Sequence, residues 1–139
     1  MISRLLVGMQ FGLMALVMLR LEVSGVDLRH FLLPAGIGVG IWAMRANRPG
    51  NFNIRPEPKE GGRLVTEGPY RFVRHPMYLA VLLFTGGFVG ADPVQWAGWV
   101  ALGTVLIAKA RREERLLSLS HPGYADYRAR TRAIIPFIL

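Results

Sequence analysis

The sequence predicts an all-α integral membrane protein with about four transmembrane helices, followed by short amphipathic C-terminal helices. Three observations point to this fold class. The chain has 139 residues, of which 52% are hydrophobic, and it nevertheless carries a net charge of +8. Its apolar residues are gathered into separate runs, and its basic residues lie between and after those runs. The length suits a single domain that covers residues 1–139.

Residues 1–45 are predicted to contain two membrane helices. The first apolar run, residues 5–19, is uncharged and is bracketed by Arg4 and Arg20. A signal peptide has a similar core, but no convincing cleavage site with small residues follows, so a retained helix is expected. The second run, residues 31–44, has glycines at positions 36, 38 and 40. Alternate glycines also occur in strands, but small residues let membrane helices pack closely, and the neighbouring apolar runs favour a helix.

Residues 45–74 interrupt the apolar pattern and are predicted to form a long loop. Prolines and glycines are frequent there, and seven basic residues are mixed with three glutamates. A loop of about thirty residues is longer than a compact domain usually keeps without a function for it. Residues 76–90 and 93–109 then predict a hairpin of two apolar helices, because Asp92-Pro93 is typical of a turn followed by a helix start.

The apolar runs are short for membrane spans, since each has about fifteen residues and about twenty are needed to cross a bilayer core. A soluble helical bundle is therefore the alternative, although flanking basic side chains can extend a span by reaching the interface. The charge distribution favours the membrane. Seven of the 17 basic residues lie in the central loop, seven lie from Lys109 onward, and none lies in the turn at Asp92. By the positive-inside rule, we expect a multi-pass protein of the cytoplasmic (inner) membrane with both termini in the cytoplasm.

The chain beyond Lys109 is predicted to remain helical but to become amphipathic. His121-Pro122-Gly123 ends this helix, and residues 124–132 predict another short amphipathic helix. The apolar tail, residues 134–139, is expected to cap a cavity or to lie in the membrane interface.

Composition also limits the partners. Cysteine is absent, which excludes disulfides and thiolate metal sites, and the three histidines are scattered, so no metal site is predicted. A basic excess also suits nucleic acid, but here it lies beside apolar runs, so membrane lipids are expected as partners and nucleic acid is not.

Residues 68–78, with the sequence GPYRFVRHPMY, form the most distinctive segment. Pro76 suits the first position of a helix, and His75 before it is expected in extended or turn geometry. His75 would then lie at a helix N-terminus whose free N–H groups suit a carboxylate or phosphate. A basic loop beside the membrane is the alternative interpretation.

Five features follow one another in a fixed order in the C-terminal half of the sequence. They are the pattern Gly-x-Tyr-x-x-x-Arg-His-Pro-x-Tyr, an apolar hairpin, Glu113-Glu114, Tyr-x-x-Tyr at residues 124–127 and a terminal proline. Together they resemble the isoprenylcysteine carboxyl methyltransferase family and the wider group that includes phospholipid N-methyltransferases. The resemblance covers residues 62–137. His121-Pro122-Gly123 departs from it, because the family has Phe-Gly before the first of these tyrosines.

The resemblance implies a membrane enzyme that binds S-adenosylmethionine in its C-terminal half, residues 62–137. Carried over by position, Lys109 stands where the family has a substrate-facing arginine, and Arg112 is close by, so both are candidate catalytic residues. The implied cofactor contacts are Gly62, Arg63, Leu64, Val65, Tyr70, His75, Pro76, Met77, Tyr78 and Glu113.

The side-chain chemistry agrees with this resemblance. Tyrosine faces can stack on adenine or lie near a cationic sulfur, and a glutamate can bind ribose hydroxyls or an amine. Adjacent residues on a helix point about 100° apart. The family spacing therefore assigns Glu113 to the cofactor cavity, and Glu114 is expected to face arginines, water or headgroups.

The predicted reaction is methyl transfer to a lipophilic acceptor that enters from the bilayer, most like carboxyl methylation of a prenylated cysteine. A phospholipid amine and a small thiol remain open as acceptors. Two other classes also remain: a non-catalytic membrane protein whose basic loop binds lipid headgroups, and a nicotinamide-dependent membrane reductase. The reductase is the weaker of the two, because the sequence has no G-x-G-x-x-G phosphate loop.

Overall fold

The computed structural model describes residues 2–20, 27–47, 63–136 and 138 of the chain. Within these ranges the protein is helical, as predicted, and the only pairing of extended backbone is an isolated parallel bridge between Val73 and Arg132. Five α-helices follow one another: α1 (Ile2–Leu19), α2 (Leu32–Ala46), α3 (Pro76–Gly86), α4 (Pro93–Ser120) and α5 (Tyr124–Arg130). Two 3-10 helices, Leu28–Phe31 and Gly68–Arg71, precede α2 and α3. Half of the predicted central loop, residues 48–62, lies outside the described residues.

Local signals set most of the helix ends. Pro76 and Pro93 each occupy the first turn of a helix, where a missing N–H costs nothing, and the Asp92 side chain accepts a hydrogen bond from the Val94 nitrogen. α4 runs on through the amphipathic segment and ends at Ser120, next to His121, as predicted.

Two predicted helix ends are wrong. α3 stops at Gly86 rather than at residue 90, because the buried Gln95 side chain takes over the next backbone groups: it accepts from the Gly90 nitrogen and donates to the Phe88 carbonyl. α5 stops at Arg130 rather than at residue 132, because Arg132 pairs with the backbone before α3.

The bundle consists of two antiparallel helix pairs. α1 packs on α4 and α2 packs on α3, while the core between them centres on Leu102, Leu106 and Ile134. Gly36 lets the backbones of α2 and α3 approach closely, since a Cβ at this position would lie 2.6 Å from the Phe84 nitrogen of α3. This contact explains one of the three alternate glycines in the second apolar run.

The two ends of the bundle differ in their side chains. At one end, Arg20 after α1 forms an ion pair of 2.7 Å with Asp92, and Arg29 donates to the Val89 carbonyl. The first connection and the turn before α4 therefore share an end, as the four-helix arrangement requires. The segment before α3, the C-terminal part of α4 and α5 gather at the other end, around His75.

Among the described helices, α1 alone is both long and apolar enough to cross a membrane. α3 is apolar but has only 11 residues, and α2 has 15. The prediction of four spans is thus supported for one helix by length and composition.

Candidate active site

A short parallel pairing of two chain segments fixes the backbone at His75. The Arg132 nitrogen donates to the Phe72 carbonyl, and the nitrogens of Arg74 and His75 donate to the carbonyls of Arg132 and Ala133 at 2.8 and 2.9 Å. His75 therefore enters α3 with φ −124° and ψ 62°, the non-helical geometry predicted for a residue before proline. This pairing directs the His75 ring into the bundle end beside α4.

The His75 ring lies between two carboxylates of α4. It is 5% exposed; its Nε2 lies 3.2 Å from Glu114 Oε1, and its Nδ1 lies 3.4 Å from Glu113 Oε2. Burial by itself lowers the pKa of His75, but the hydrogen bonds and charges of Glu113 and Glu114 outweigh this effect and raise the pKa above its ordinary value. Both contacts suit the charged imidazolium, which can donate from both ring nitrogens.

Glu114 is buried by partners from distant parts of the chain. Arg74 Nε donates to Glu114 Oε1 at 2.7 Å, and both side chains are 9% exposed. Burial raises the pKa of Glu114, but hydrogen bonds from His75 and Arg74 outweigh it and hold the pKa at about 2. The expectation that Glu114 faces arginines is confirmed, since Arg74 and Arg128 both contact it, but its burial excludes the alternatives of water or headgroups. The side chains of Glu113 and Glu114 leave α4 in different directions, and the His75 ring lies between them. Both carboxylates therefore reach the same imidazole.

Tyr78 connects His75 to Glu113 and Lys109. Its ring stacks on the His75 ring with centroids 5.2 Å apart and planes 6° apart, and its hydroxyl donates to Glu113 Oε2 at 3.1 Å. Lys109 Nζ lies 5.2 Å from the centre of the Tyr78 ring, at cation–π distance. Lys109 is 1% exposed and donates to the Gln10 side chain of α1. The first helix, α1, therefore contributes to this site through Gln10.

Tyr70 borders the same cluster from the 3-10 helix before α3. Burial raises the pKa of Tyr70 to about 12, and the nearby Glu113 carboxylate adds to this rise. The Tyr127 hydroxyl of α5 donates to the Tyr70 carbonyl at 2.7 Å. Of the residues predicted from the sequence, the structure thus brings together Tyr70, His75, Tyr78, Lys109 and Glu113.

The other candidate residues have less direct relations to this cluster. Arg63 pairs at 2.9 Å with Glu67 on exposed surface. Pro76 and Val65 are buried, whereas Leu64, Met77 and Arg112 are half-buried. Gly62 lies outside the described residues, so its predicted cofactor contact has no counterpart here.

Two residues that complete the cluster, Glu114 and Gln10, were not among those predicted from the sequence. Nothing local distinguishes Glu114 from Glu113, because the burial of Glu114 depends on Arg74, 40 residues away. Gln10 did carry a signal, since a polar side chain within an apolar helix is a candidate functional residue by itself.

Comparison with known proteins identifies relatives of this chain. The sequence model of the Isoprenylcysteine carboxyl methyltransferase (ICMT) family matches residues 32–118, which include Tyr70, His75, Tyr78 and Glu113. The Nickel-cobalt-cadmium resistance protein NccN of Alcaligenes xylosoxydans xylosoxydans is 36% identical over 84 residues, 56% of this chain and 38% of NccN. The Cobalt-zinc-cadmium resistance protein CzcN of Cupriavidus metallidurans is 37% identical over 82 residues, again 56% of this chain and 38% of the relative. The match therefore spans well under half of either relative.

Proposed function

Since the chain belongs to the isoprenylcysteine carboxyl methyltransferase family, we propose that it is a multi-pass membrane enzyme that transfers a methyl group from S-adenosylmethionine to a lipophilic acceptor. The observation that carries this proposal is the cluster of His75, Tyr78 and Glu113. These residues come from two helices and from positions up to 38 apart in the chain, yet their side chains contact one another. A basic loop that only flanks a membrane would not require these three side chains to contact one another.

The residues of this cluster fit the chemical groups of S-adenosylmethionine. The Glu113 side chain is 31% exposed, so its carboxylate is still open to a ribose hydroxyl or an ammonium group. Tyr70 and Tyr78 offer aromatic faces of the kind that stack on adenine or lie near a cation. Arg74, His75 and the N-terminus of α3 supply donors that suit a carboxylate. When bound, the cofactor supplies the methyl group as an electrophile on a positively charged sulfur.

In the proposed reaction, the main task of the protein is to position the reacting groups. The His75 ring is held between two carboxylates, Glu114 at Nε2 and Glu113 at Nδ1, and it fixes the Tyr78 ring by stacking. Such fixed geometry supports an in-line displacement, for which alignment of nucleophile and methyl group supplies much of the rate. Lys109 places a buried positive charge beside Tyr78, where it would attract an anionic acceptor group.

The exposed surface of the bundle supports a membrane location. Many large apolar side chains of α1, α2 and α4 are exposed, as expected for helices that face lipid. They include Leu5, Phe11, Ile37, Trp42, Val94 and Val100. A lipophilic acceptor would enter between helices from the bilayer. We place both termini and the C-terminal helices in the cytoplasm, because the basic residues gather at that end.

Within this proposal, a carboxylate acceptor such as that of a prenylated cysteine needs no general base, because it is already an anion. An amine or thiol would need one. The names of the two relatives describe resistance to nickel, cobalt, zinc and cadmium, and such resistance does not identify a methyl acceptor.

Calorimetric titration of the detergent-solubilised protein with S-adenosylmethionine tests the proposal. Saturable binding is expected, and His75→Ala should weaken it far more than His30→Ala at the other end of the bundle or His121→Ala after α4. Circular dichroism and gel filtration would establish that each variant remains folded. Absence of binding to the folded wild-type protein, or equal losses in the three variants, would refute this site.

A further inference from the structure

A second face of α4 borders a cavity separate from the His75–Tyr78 stack. The cavity has a volume of about 290 Å³ and lies between α4 and the segment that follows α5. Among the described residues, four arginines line it, namely Arg74, Arg111, Arg128 and Arg132, and Glu114 is the one acidic residue of this lining. We call it the arginine cavity. Lys109 and Glu113 do not belong to its lining.

The charges of the arginine cavity do not balance. Glu114 already accepts a hydrogen bond from the buried Arg74, and Arg128 Nε lies 3.7 Å from its second oxygen. In the described part of the chain, Arg111 and Arg132 have exposed side chains and take part in no ion pair. Several guanidinium groups thus face one space with a single, already occupied carboxylate. Guanidinium groups in such a concentration favour an anion with several oxygens, since they bind phosphate in a two-pronged fashion.

The apolar part of the lining indicates what kind of molecule the anionic group belongs to. Ile107, Ala110 and Ile134 form one wall of the arginine cavity. Up to Ala110 the buried Lys109 is the one charged residue of α4, and the helix becomes strongly charged from Arg111 onward. If α4 crosses the membrane, this change marks the level of the lipid headgroups. A ligand in this cavity meets both arginines and aliphatic side chains.

We propose that the arginine cavity binds the phosphate of an anionic membrane phospholipid, with the start of an acyl chain along Ile107 and Ile134. Basic pockets on the cytoplasmic side of membrane helices recognise such headgroups. The ligand is an amphiphile rather than a free anion, because the arginines and the apolar wall line the same cavity. Arg74 and Glu114 link this cavity to the methyl-transfer cluster, whereas Arg111, Arg128 and Arg132 do not belong to that cluster, and the test measures lipid binding without reference to methyl transfer.

The test is native mass spectrometry of the full chain in detergent micelles, titrated with phosphatidylglycerol, phosphatidylcholine or inorganic phosphate. Two double variants are compared. Arg111→Gln with Arg132→Gln removes two charges from the arginine cavity. Arg115→Gln with Arg130→Gln removes two charges from exposed arginines of α4 and α5 that do not line it. All four arginines are exposed, so both variants are expected to fold, which circular dichroism checks.

Phosphatidylglycerol is expected to bind the wild-type protein at least about tenfold more tightly than phosphatidylcholine. The cavity variant should lose about tenfold or more of that affinity, whereas the control variant should stay within about threefold. Equal losses in the two variants would overturn the proposal, because they would indicate general surface charge. Binding of inorganic phosphate as tight as that of phosphatidylglycerol would also overturn it, since the apolar wall would then have no role.

Discussion

Replacement of Glu114 by glutamine tests whether the buried contacts of this carboxylate stabilise the fold. The variant keeps the size of the side chain but removes the charge that pairs with Arg74 and His75. The fall of the Glu114 pKa from 4.5 to about 2 corresponds to ~3 kcal/mol at about 1.4 kcal/mol per pKa unit. Removal of one partner from a buried ion pair costs a similar amount, about 3–5 kcal/mol. We therefore expect Glu114→Gln to lower the free energy of unfolding at pH 7 by ~3 kcal/mol.

The pH dependence of this effect has a defined sign. A carboxylate with a depressed pKa stabilises the folded state above its unfolded pKa, and that stabilisation is lost as the pH falls through the folded pKa. The difference between wild-type protein and Glu114→Gln should therefore shrink from pH 4.5 toward about pH 2. Equilibrium unfolding in detergent micelles, followed by circular dichroism at several pH values, measures it.

Glu67→Gln is the matched control. Glu67 pairs with Arg63, but these two side chains are 69% and 65% exposed, and such a surface pair is worth under about 1 kcal/mol. If Glu114→Gln destabilises the protein no more than Glu67→Gln at pH 7, the Glu114 contacts contribute nothing to stability and the reasoning is refuted.

Three further predictions concern the cofactor, the helix packing and the topology. Glu113→Gln should raise the dissociation constant for S-adenosylmethionine by roughly ten- to a hundredfold in calorimetric titration, because a charge-assisted hydrogen bond is lost; an unchanged constant would remove Glu113 from the proposed site. Gly36→Ala should lower the free energy of unfolding by about 1–3 kcal/mol, since the added methyl group would lie 2.6 Å from the Phe84 nitrogen. Gly38→Ala is the control, because a methyl group at this position meets open space and should not destabilise the protein by overpacking. A reporter fused after Leu139 should be active only on the cytoplasmic side, and activity in the periplasm would reverse the proposed topology.

Helix starts were the part of the fold that the sequence predicted best. Asp92-Pro93 and His75-Pro76 act through their own backbone and the first turn of the helix, so no distant residue is needed to interpret them. Helix ends were predicted less well. α3 ends where the side chain of Gln95 binds the turn, and this side chain also donates to the Val17 and Arg20 carbonyls of the α1 end. The Gln95 side chain thus joins α4, the turn after α3 and the end of α1, and no pattern within α3 itself predicts this contact.

The composition, the apolar runs and the order of the tyrosine, histidine and glutamate residues determined the helical class and the family of this protein. Tertiary structure alone decided how those residues are used. Glu113 and Glu114 are equivalent by local pattern, but Arg74 buries Glu114, while Glu113 stays partly open beside Tyr78. Lys109 is likewise held by Gln10, 99 residues away. The physical reason is that burial and ion pairing depend on which distant segments meet, whereas sequence patterns report only neighbours within a turn or two of the same helix.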